Sequence, residues 1–77
     1  MRVVVDTNVF VGACLGVGAA SAVIRACLEH RVVPLMGETL LTEFEAVLGR
    51  DALFTSSRLD AAERSTLLDT YLALCEW

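Results

Sequence analysis

The chain has 77 residues, enough for at most one small domain. Hydrophobic residues make up 56% of it, above the roughly 45–50% of an average soluble chain. We therefore expect further protein, from a continuation of the chain or another subunit, to cover part of the apolar surface. The formal net charge of -4 argues against a broad basic face for nucleic acid. No uninterrupted apolar run approaches the ~20 residues that span a bilayer, so no membrane partner is expected.

The first element is a short strand that ends in three polar residues. Valines 3–5 are consecutive β-branched residues, typical of a central parallel strand with helices on both faces. The run stops at Asp6, which is followed by Thr7 and Asn8. Ligands of open parallel sheets bind outside the carboxyl ends of the strands, where Asp6 lies. All three polar residues are also good helix N-caps, and position alone does not decide between a site and a cap.

The next segments complete a βαβ unit. Three glycines within residues 12–18 predict a short helical turn and a glycine-rich loop. Apolar residues at helical spacing predict a helix from about Ala20, and residues 32–36 predict a second strand. Pro34 has no N–H to donate to a ladder, which favours an edge strand or a strand end. Two strands joined by a helix at this spacing are expected to be parallel.

Two further helices follow, which gives the order βαβαα. The apolar positions of the third predicted helical segment share one face and are Leu40, Leu41, Phe44, Val47 and Leu48. Gly49 is placed to cap its carboxyl end. Glu43 and Glu45 both fall at the borders of the apolar face, and periodicity does not choose between them. Asp60 and Glu63 form a capping-box-like start for the last helix.

The cysteines carry a prediction about the compartment. Cys14, Cys27 and Cys75 are an odd number, widely spaced and without a Cys-x-x-Cys pair. This pattern favours neither a zinc site nor a disulfide framework. Buried thiols in a reducing environment are the better interpretation, and we expect a cytoplasmic protein.

Two stretches carry a resemblance to a known family. Residues 1–13, Met-Arg-Val-Val-Val-Asp-Thr-Asn-Val-Phe-Val-Gly-Ala, resemble the opening of a PIN-domain protein of the kind that serves as toxin in bacterial toxin–antitoxin systems. Residues 37–48 are similar to the second acidic motif of that family, in which a glutamate lies between leucine-type residues shortly before a Val-Leu pair. The resemblance implies an α/β fold with a short parallel sheet flanked by helices. It also implies that residues 1–77 are the N-terminal part of a three-layer domain, with the C-terminal half absent.

The resemblance implies a chemistry as well. The family comprises Mg²⁺- or Mn²⁺-dependent ribonucleases with three or four clustered acidic residues. By match of motif, Asp6 takes the first acidic place and Glu43 the second, which makes them the expected catalytic and metal-binding residues. Asn8 occupies a polar place that would steady Asp6 or a water on the ion. The later acidic places have no counterpart, so the resemblance implies an RNA substrate and an antitoxin partner but an inactive chain.

An alternative from a different class remains open. In it the chain is a non-catalytic half-domain that acts in self-association or antitoxin binding, Asp6 is only a helix cap, and Glu43 is a solvated helix residue. Two parallel strands bury little by themselves, so a homo-oligomer is expected under either hypothesis.

Overall fold

The order of elements is that of an α/β protein with a parallel strand pair. The computed structural model describes Met1–Trp77. Its elements are β1 (Arg2–Val4), α1 (Thr7–Cys14), α2 (Gly18–Leu28), β2 (Val33–Leu35), α3 (Glu38–Leu48), a 3₁₀ turn (Asp51–Phe54) and α4 (Ala61–Leu74). The predicted fold class is confirmed, with one more helix between the strands than predicted. No single helix is long and apolar enough to cross a membrane, and α1 with α2 reaches that length only as a pair bent by 104°.

The predicted glycine-rich loop is wrong, because α1 continues through Gly12 to Cys14 and α2 already begins at Gly18. Only residues 15–17 form a turn, in which Gly16 adopts a φ of +83°. Gly12 lies where α1 packs against α2. A Cβ at this position would come within 2.9 Å of the Ala20 Cβ. The glycine therefore permits close helix packing and does not break the helix.

The helices cover one face of the strand pair only. Arg2 lies beside Val33 and Val4 beside Leu35 in the parallel register. Val5 is 3% exposed, whereas Val4, on the opposite face, is 71% exposed. Within these 77 residues, helices therefore cover the face of β1 that carries Val5, and the face that carries Val4 is exposed.

β2 is an outer strand of the two-stranded sheet, as Pro34 predicted, and one isolated bridge adds to its outer side. On the side away from β1, a parallel bridge joins Leu35 to Glu76. The Glu76 N–H donates to the Pro34 carbonyl (2.8 Å), and the Met36 N–H donates to the Glu76 carbonyl (2.9 Å). Pro34 is tolerated because this bridge uses its carbonyl and requires no N–H from it.

An aromatic cluster holds three helices together. Phe10 of α1, Phe44 of α3 and Tyr71 of α4 are completely buried. Phe10 meets Phe44 and Tyr71 edge to face, with ring centroids 5.6 and 5.3 Å apart, and Phe44 stacks on Tyr71 at 6.0 Å. Each such pair contributes about 0.5–1.5 kcal/mol beyond its buried area. The other buried apolar side chains are Val5, Cys14, Ile24, Cys27, Pro34, Met36 and Phe54.

The carboxyl end of α3 and the amino end of α4 are capped as predicted. Gly49 is the C-cap of α3. At the start of α4, Asp60 accepts a hydrogen bond from the Glu63 N–H (2.8 Å), and the Glu63 carboxylate accepts one from the Asp60 N–H (3.1 Å). The predicted capping box is confirmed.

Arg64 holds the irregular segment between α3 and α4. It is 8% exposed, and its guanidinium lies 4.2 Å from the centre of the Phe54 ring. It donates to the Leu59 carbonyl (3.1 Å) and to the Asp51 carboxylate (3.3 Å). Because Asp51 is exposed, this ion pair contributes little by itself, and the cation–π and carbonyl contacts are the larger share.

We expect Gly12→Ala to destabilise the protein. Alanine is favoured over glycine in a helix by about 1 kcal/mol, but the added Cβ would clash with Ala20, and overpacking costs typically about 1–3 kcal/mol. Gly18→Ala is the matched control, because a Cβ there meets nothing within 4 Å. Thermal unfolding should show a lower Tm for Gly12→Ala and an unchanged or higher one for Gly18→Ala. Equal effects of both substitutions would contradict the close packing of α1 and α2.

We expect stability to fall at alkaline pH. Burial raises the pKa of the Tyr71 hydroxyl, with smaller contributions from Cys75 and Cys27, and burial likewise raises the pKa of the Cys14 and Cys27 thiols. The unfolded chain loses these protons first, near pH 8.5 for thiols and pH 10 for tyrosine. The contribution of these protonated groups to the free energy of unfolding is therefore complete below these pH values and declines as the pH rises through them.

The variant Tyr71→Phe separates the contribution of the tyrosine to this pH dependence of stability from the contribution of the thiols. No nitrogen or oxygen atom is a hydrogen-bond partner of the buried Tyr71 hydroxyl, and a thiol such as that of Cys75 is only a weak one, so removal of the hydroxyl should leave the chain about as stable at pH 7. The variant should keep the decline that starts near pH 8.5 and lose the part above pH 10. Urea unfolding of the parent chain and the variant between pH 7 and 11 measures the stability at pH 7 and its decline at alkaline pH. A marked loss of stability at pH 7 would show that the hydroxyl has a partner.

Candidate functional site

Asp6 is both a helix cap and a candidate ligand, the two roles between which the sequence did not decide. It has extended backbone (φ -65°, ψ 146°), lies two residues after the end of β1 and is the N-cap of α1. Its Oδ1 accepts hydrogen bonds from the Asn8 N–H (3.0 Å) and from the Thr7 hydroxyl (3.2 Å). Both bonds end on Oδ1, and Oδ2 accepts none within the chain. The carboxylate is thus oriented by one oxygen and presents the other to solvent.

Thr7 is a site residue that the sequence analysis considered only as a cap. It is 9% exposed, and its hydroxyl is one of the two groups that fix the Asp6 carboxylate. Helical spacing could have found it, because Thr7, Phe10 and Cys14 are the three buried residues of α1 and share its inward face. A buried hydroxyl beside a strand-end carboxylate is better explained by a positioning role than by capping.

Asn8 contacts Asp6 through its backbone. The Asn8 N–H donates to the carboxylate, whereas the Asn8 side chain makes no hydrogen bond within the chain and the residue is exposed. The structure therefore places Asn8 next to Asp6 as predicted, and leaves the steadying role of its side chain a prediction.

Glu43 lies on the helix that packs against α1. The next residue, Phe44, contacts Phe10, which follows Asp6 by about one helical turn. This contact holds the elements that carry Asp6 and Glu43 against each other. Glu43 is exposed and its side chain makes no hydrogen bond or ion pair within the chain, so its carboxylate is free to bind a ligand.

The structure gives Glu43 and Glu45 different surroundings, which helical periodicity did not distinguish. Glu45 lines a concavity of about 250 Å³ between α3 and α4, together with Asp51 and Arg64. Two positions along a helix differ by about 200°, so Glu43 lies away from that concavity. Asp6 and Glu43 line none of the three concavities of the surface and are open to solvent.

A comparison with protein families identifies the family of this chain. A family model described as PIN domain matches residues 2–76. The chain belongs to the PIN-domain family. The resemblance to this family is therefore confirmed, and neither a curated protein nor a solved structure matches the chain. PIN domains are generally nuclease-like and generally dependent on a divalent metal ion.

The candidate site of this PIN domain offers donors that suit part of a divalent-metal site. Asp6 and Glu43 offer carboxylate oxygens, the hard ligands that Mg²⁺ and Mn²⁺ prefer. Mg²⁺ is commonly held by one or two carboxylates, with waters and substrate phosphate completing the octahedron. No group of three His, Cys, Asp or Glu side chains is arranged to hold a metal ion. The chain therefore offers two candidate ligands, of which Asp6 is oriented and Glu43 is not.

Two substitutions of Asp6 should separate the effect of its helix cap on stability from the effect of its negative charge. Asp6→Ala removes the acceptor of both hydrogen bonds and should cost about 0.5–2 kcal/mol. Asp6→Asn keeps an oxygen that can accept both bonds, and asparagine caps helices as well as aspartate does, so its Tm should stay close to that of the parent chain. Thermal unfolding of both variants measures the difference. If asparagine destabilised as much as alanine, the cap would depend on the charge.

Proposed function

We propose that this PIN domain contributes two metal-binding carboxylates, Asp6 and Glu43, to a ribonuclease site that hydrolyses RNA phosphodiester bonds. The observation that carries the proposal is the Asp6 carboxylate at the end of a parallel strand. One of its oxygens is fixed by two hydrogen bonds and the other is open. A residue that served only as a cap would not need the second, buried donor from Thr7.

Each residue has a defined part in the proposed site. Asp6 would hold Mg²⁺ or Mn²⁺ through Oδ2 while the Thr7 hydroxyl and the Asn8 N–H keep the carboxylate in one orientation. Glu43 would be the second ligand, and the Asn8 side chain would steady Asp6 or a water. A bound divalent ion supplies charge neutralisation for the phosphate and activates a water for attack.

The proposed substrate class is RNA, and the charge of the chain bears on how it would bind. With a net charge of -4, the chain has little sequence-independent attraction for a phosphate backbone. Contact with the substrate would therefore depend on the ion. We further propose an antitoxin-type protein as partner and a cytoplasmic location, which rest on the family resemblance and on the unpaired cysteines.

We propose that the 77 residues alone do not cleave RNA. The family resemblance implies three or four clustered acidic residues, and this chain supplies two of them. A missing carboxylate weakens the metal site and leaves the attacking water without an orienting base, and general-base assistance alone contributes roughly 10²–10⁴-fold. A higher Mg²⁺ concentration would raise occupancy without restoring that geometry.

Mn²⁺ titration tests the site. The chain should bind Mn²⁺ weakly, Asp6→Asn should abolish that binding, and Glu43→Gln should weaken it. Glu45→Gln is the matched control, because it removes the same charge from the same helix on the side that faces Asp51 and Arg64. Binding that is unchanged in Asp6→Asn, or weakened equally in Glu43→Gln and Glu45→Gln, would contradict the assignment.

A cleavage assay tests the count of ligands. Labelled RNA incubated with purified chain and Mg²⁺ or Mn²⁺ should remain intact, with Asp6→Asn as the control for contaminating nuclease. Metal-dependent cleavage that disappears in Asp6→Asn would show that two carboxylates suffice.

A further inference from the structure

The side of α3 that carries Glu43 leads to an arginine at the carboxyl end of the helix. Arg50 follows Glu43 by seven residues, and two turns of an α-helix take about 7.2 residues. The two positions therefore differ by only about 20° around the helix axis, and they lie roughly 10.5 Å apart along it. This placement follows from the helix itself and requires no contact with another element.

The backbone continues its helical path as far as Arg50. Gly49, the C-cap of α3, still has helical backbone (φ -79°, ψ -6°), and its N–H donates to the Glu45 carbonyl (3.1 Å). The Arg50 N–H also donates to a carbonyl in the last turn of α3 (3.1 Å). Gly49 and Asp51, on either side of Arg50, line the concavity beside Glu45, whereas Arg50 does not. Arg50 therefore lies on the other side of α3, as Glu43 does.

A small residue lies between these two charges. Ala46 is three residues after Glu43 and four residues before Arg50, and residues at these spacings are neighbours on a helix surface. All three residues are exposed. They form a continuous strip along α3, with a carboxylate at one end, a guanidinium at the other and only a methyl group between them. A ligand that contacts both ends meets no large side chain on the way.

The Arg50 guanidinium makes no ion pair or hydrogen bond within the chain. Ion pairs engage three of the six arginines, in the pairs Arg2–Glu76, Arg31–Glu29 and Arg64–Asp51. Arg25 and Arg58 are outside ion pairs as well, but neither lies on α3. A cation stabilises the carboxyl end of any helix, which explains an arginine after α3 but not its alignment with Glu43.

We propose that Arg50 binds a phosphate that flanks the one held by the ion at Asp6 and Glu43, so that the RNA strand lies along α3. This inference rests on the proposed function and adds to it the direction in which the substrate crosses the site. A guanidinium can form two parallel N–H···O bonds with one phosphate. Because the chain has a net charge of -4, an arginine placed beside the site supplies an attraction that the overall charge does not.

Fluorescence anisotropy with a labelled single-stranded RNA in Mg²⁺ tests the proposal. Arg50→Gln should raise the dissociation constant about fivefold, as expected for the loss of one exposed charge contact. Arg50→Lys should raise it less, because lysine keeps the charge but not the two parallel bonds. Arg25→Gln is the matched control, because it removes the same charge from an exposed position on α2, and it should leave the constant unchanged. Thermal unfolding checks that each variant is folded.

Two further measurements separate a phosphate contact from an effect of Arg50 on the structure. Arg50→Gln should make the slope of log affinity against log salt concentration shallower by about 0.7, the value for one phosphate contact on a single strand. A dinucleotide with a single phosphate reaches the ion but not Arg50, so it should bind the parent chain and Arg50→Gln equally. Mn²⁺ binding without RNA should also be equal in the two chains.

The outcomes distinguish this inference from the proposed function. RNA binding that requires Mg²⁺ and Asp6, but is equal in Arg50→Gln and Arg25→Gln, would overturn the role of Arg50 and leave the proposed function intact. A dinucleotide that loses as much affinity in Arg50→Gln as the longer RNA does would overturn the flanking contact. RNA binding that is the same with and without Mg²⁺ would contradict the proposed function, and the inference about Arg50 with it.

Discussion

The contact between Phe10 and Phe44 is the constraint on which the candidate site depends. It fixes α1 against α3, and Tyr71 completes the cluster by bringing α4 against both. Asp6 precedes Phe10 by about one turn, and Glu43 precedes Phe44 by one residue. The packing of the buried aromatic rings therefore fixes the positions of the two carboxylates relative to each other. Substitutions in this cluster would disturb the proposed site without any contact to a metal ion.

Helix capping and ligand binding do not compete at Asp6. A carboxylate has two oxygens, and the cap uses only Oδ1, which accepts from the Asn8 N–H and the Thr7 hydroxyl. The same bonds that satisfy the start of α1 hold Oδ2 in a fixed direction. Pre-orientation of this kind lowers the entropy lost when a ligand binds. Stability and function thus draw on the same local hydrogen bonds.

Within these 77 residues, the sheet is asymmetric in two respects. Its helices cover the face of Val5 and leave that of Val4 open. Its two outer sides also differ, because the side of β2 carries the Glu76 bridge and the side of β1 carries none. The high apolar content of the chain is consistent with these open surfaces, since 56% of its residues are hydrophobic while Val4 and Trp77 remain exposed.

The sequence by itself determined the features that depend on neighbours in the chain. The short strand in the valine run and the capping box of Asp60 and Glu63 were predicted correctly, because β-branched residues favour strands and short-range hydrogen bonds form the cap. Only the tertiary structure decided that Gly12 lies inside a helix, that Pro34 lies between two paired segments, and that Glu43 and Glu45 face different surroundings. The physical reason is that each of these depends on a partner distant in sequence. Local propensity contains no information about such a partner, which becomes defined when the helices pack.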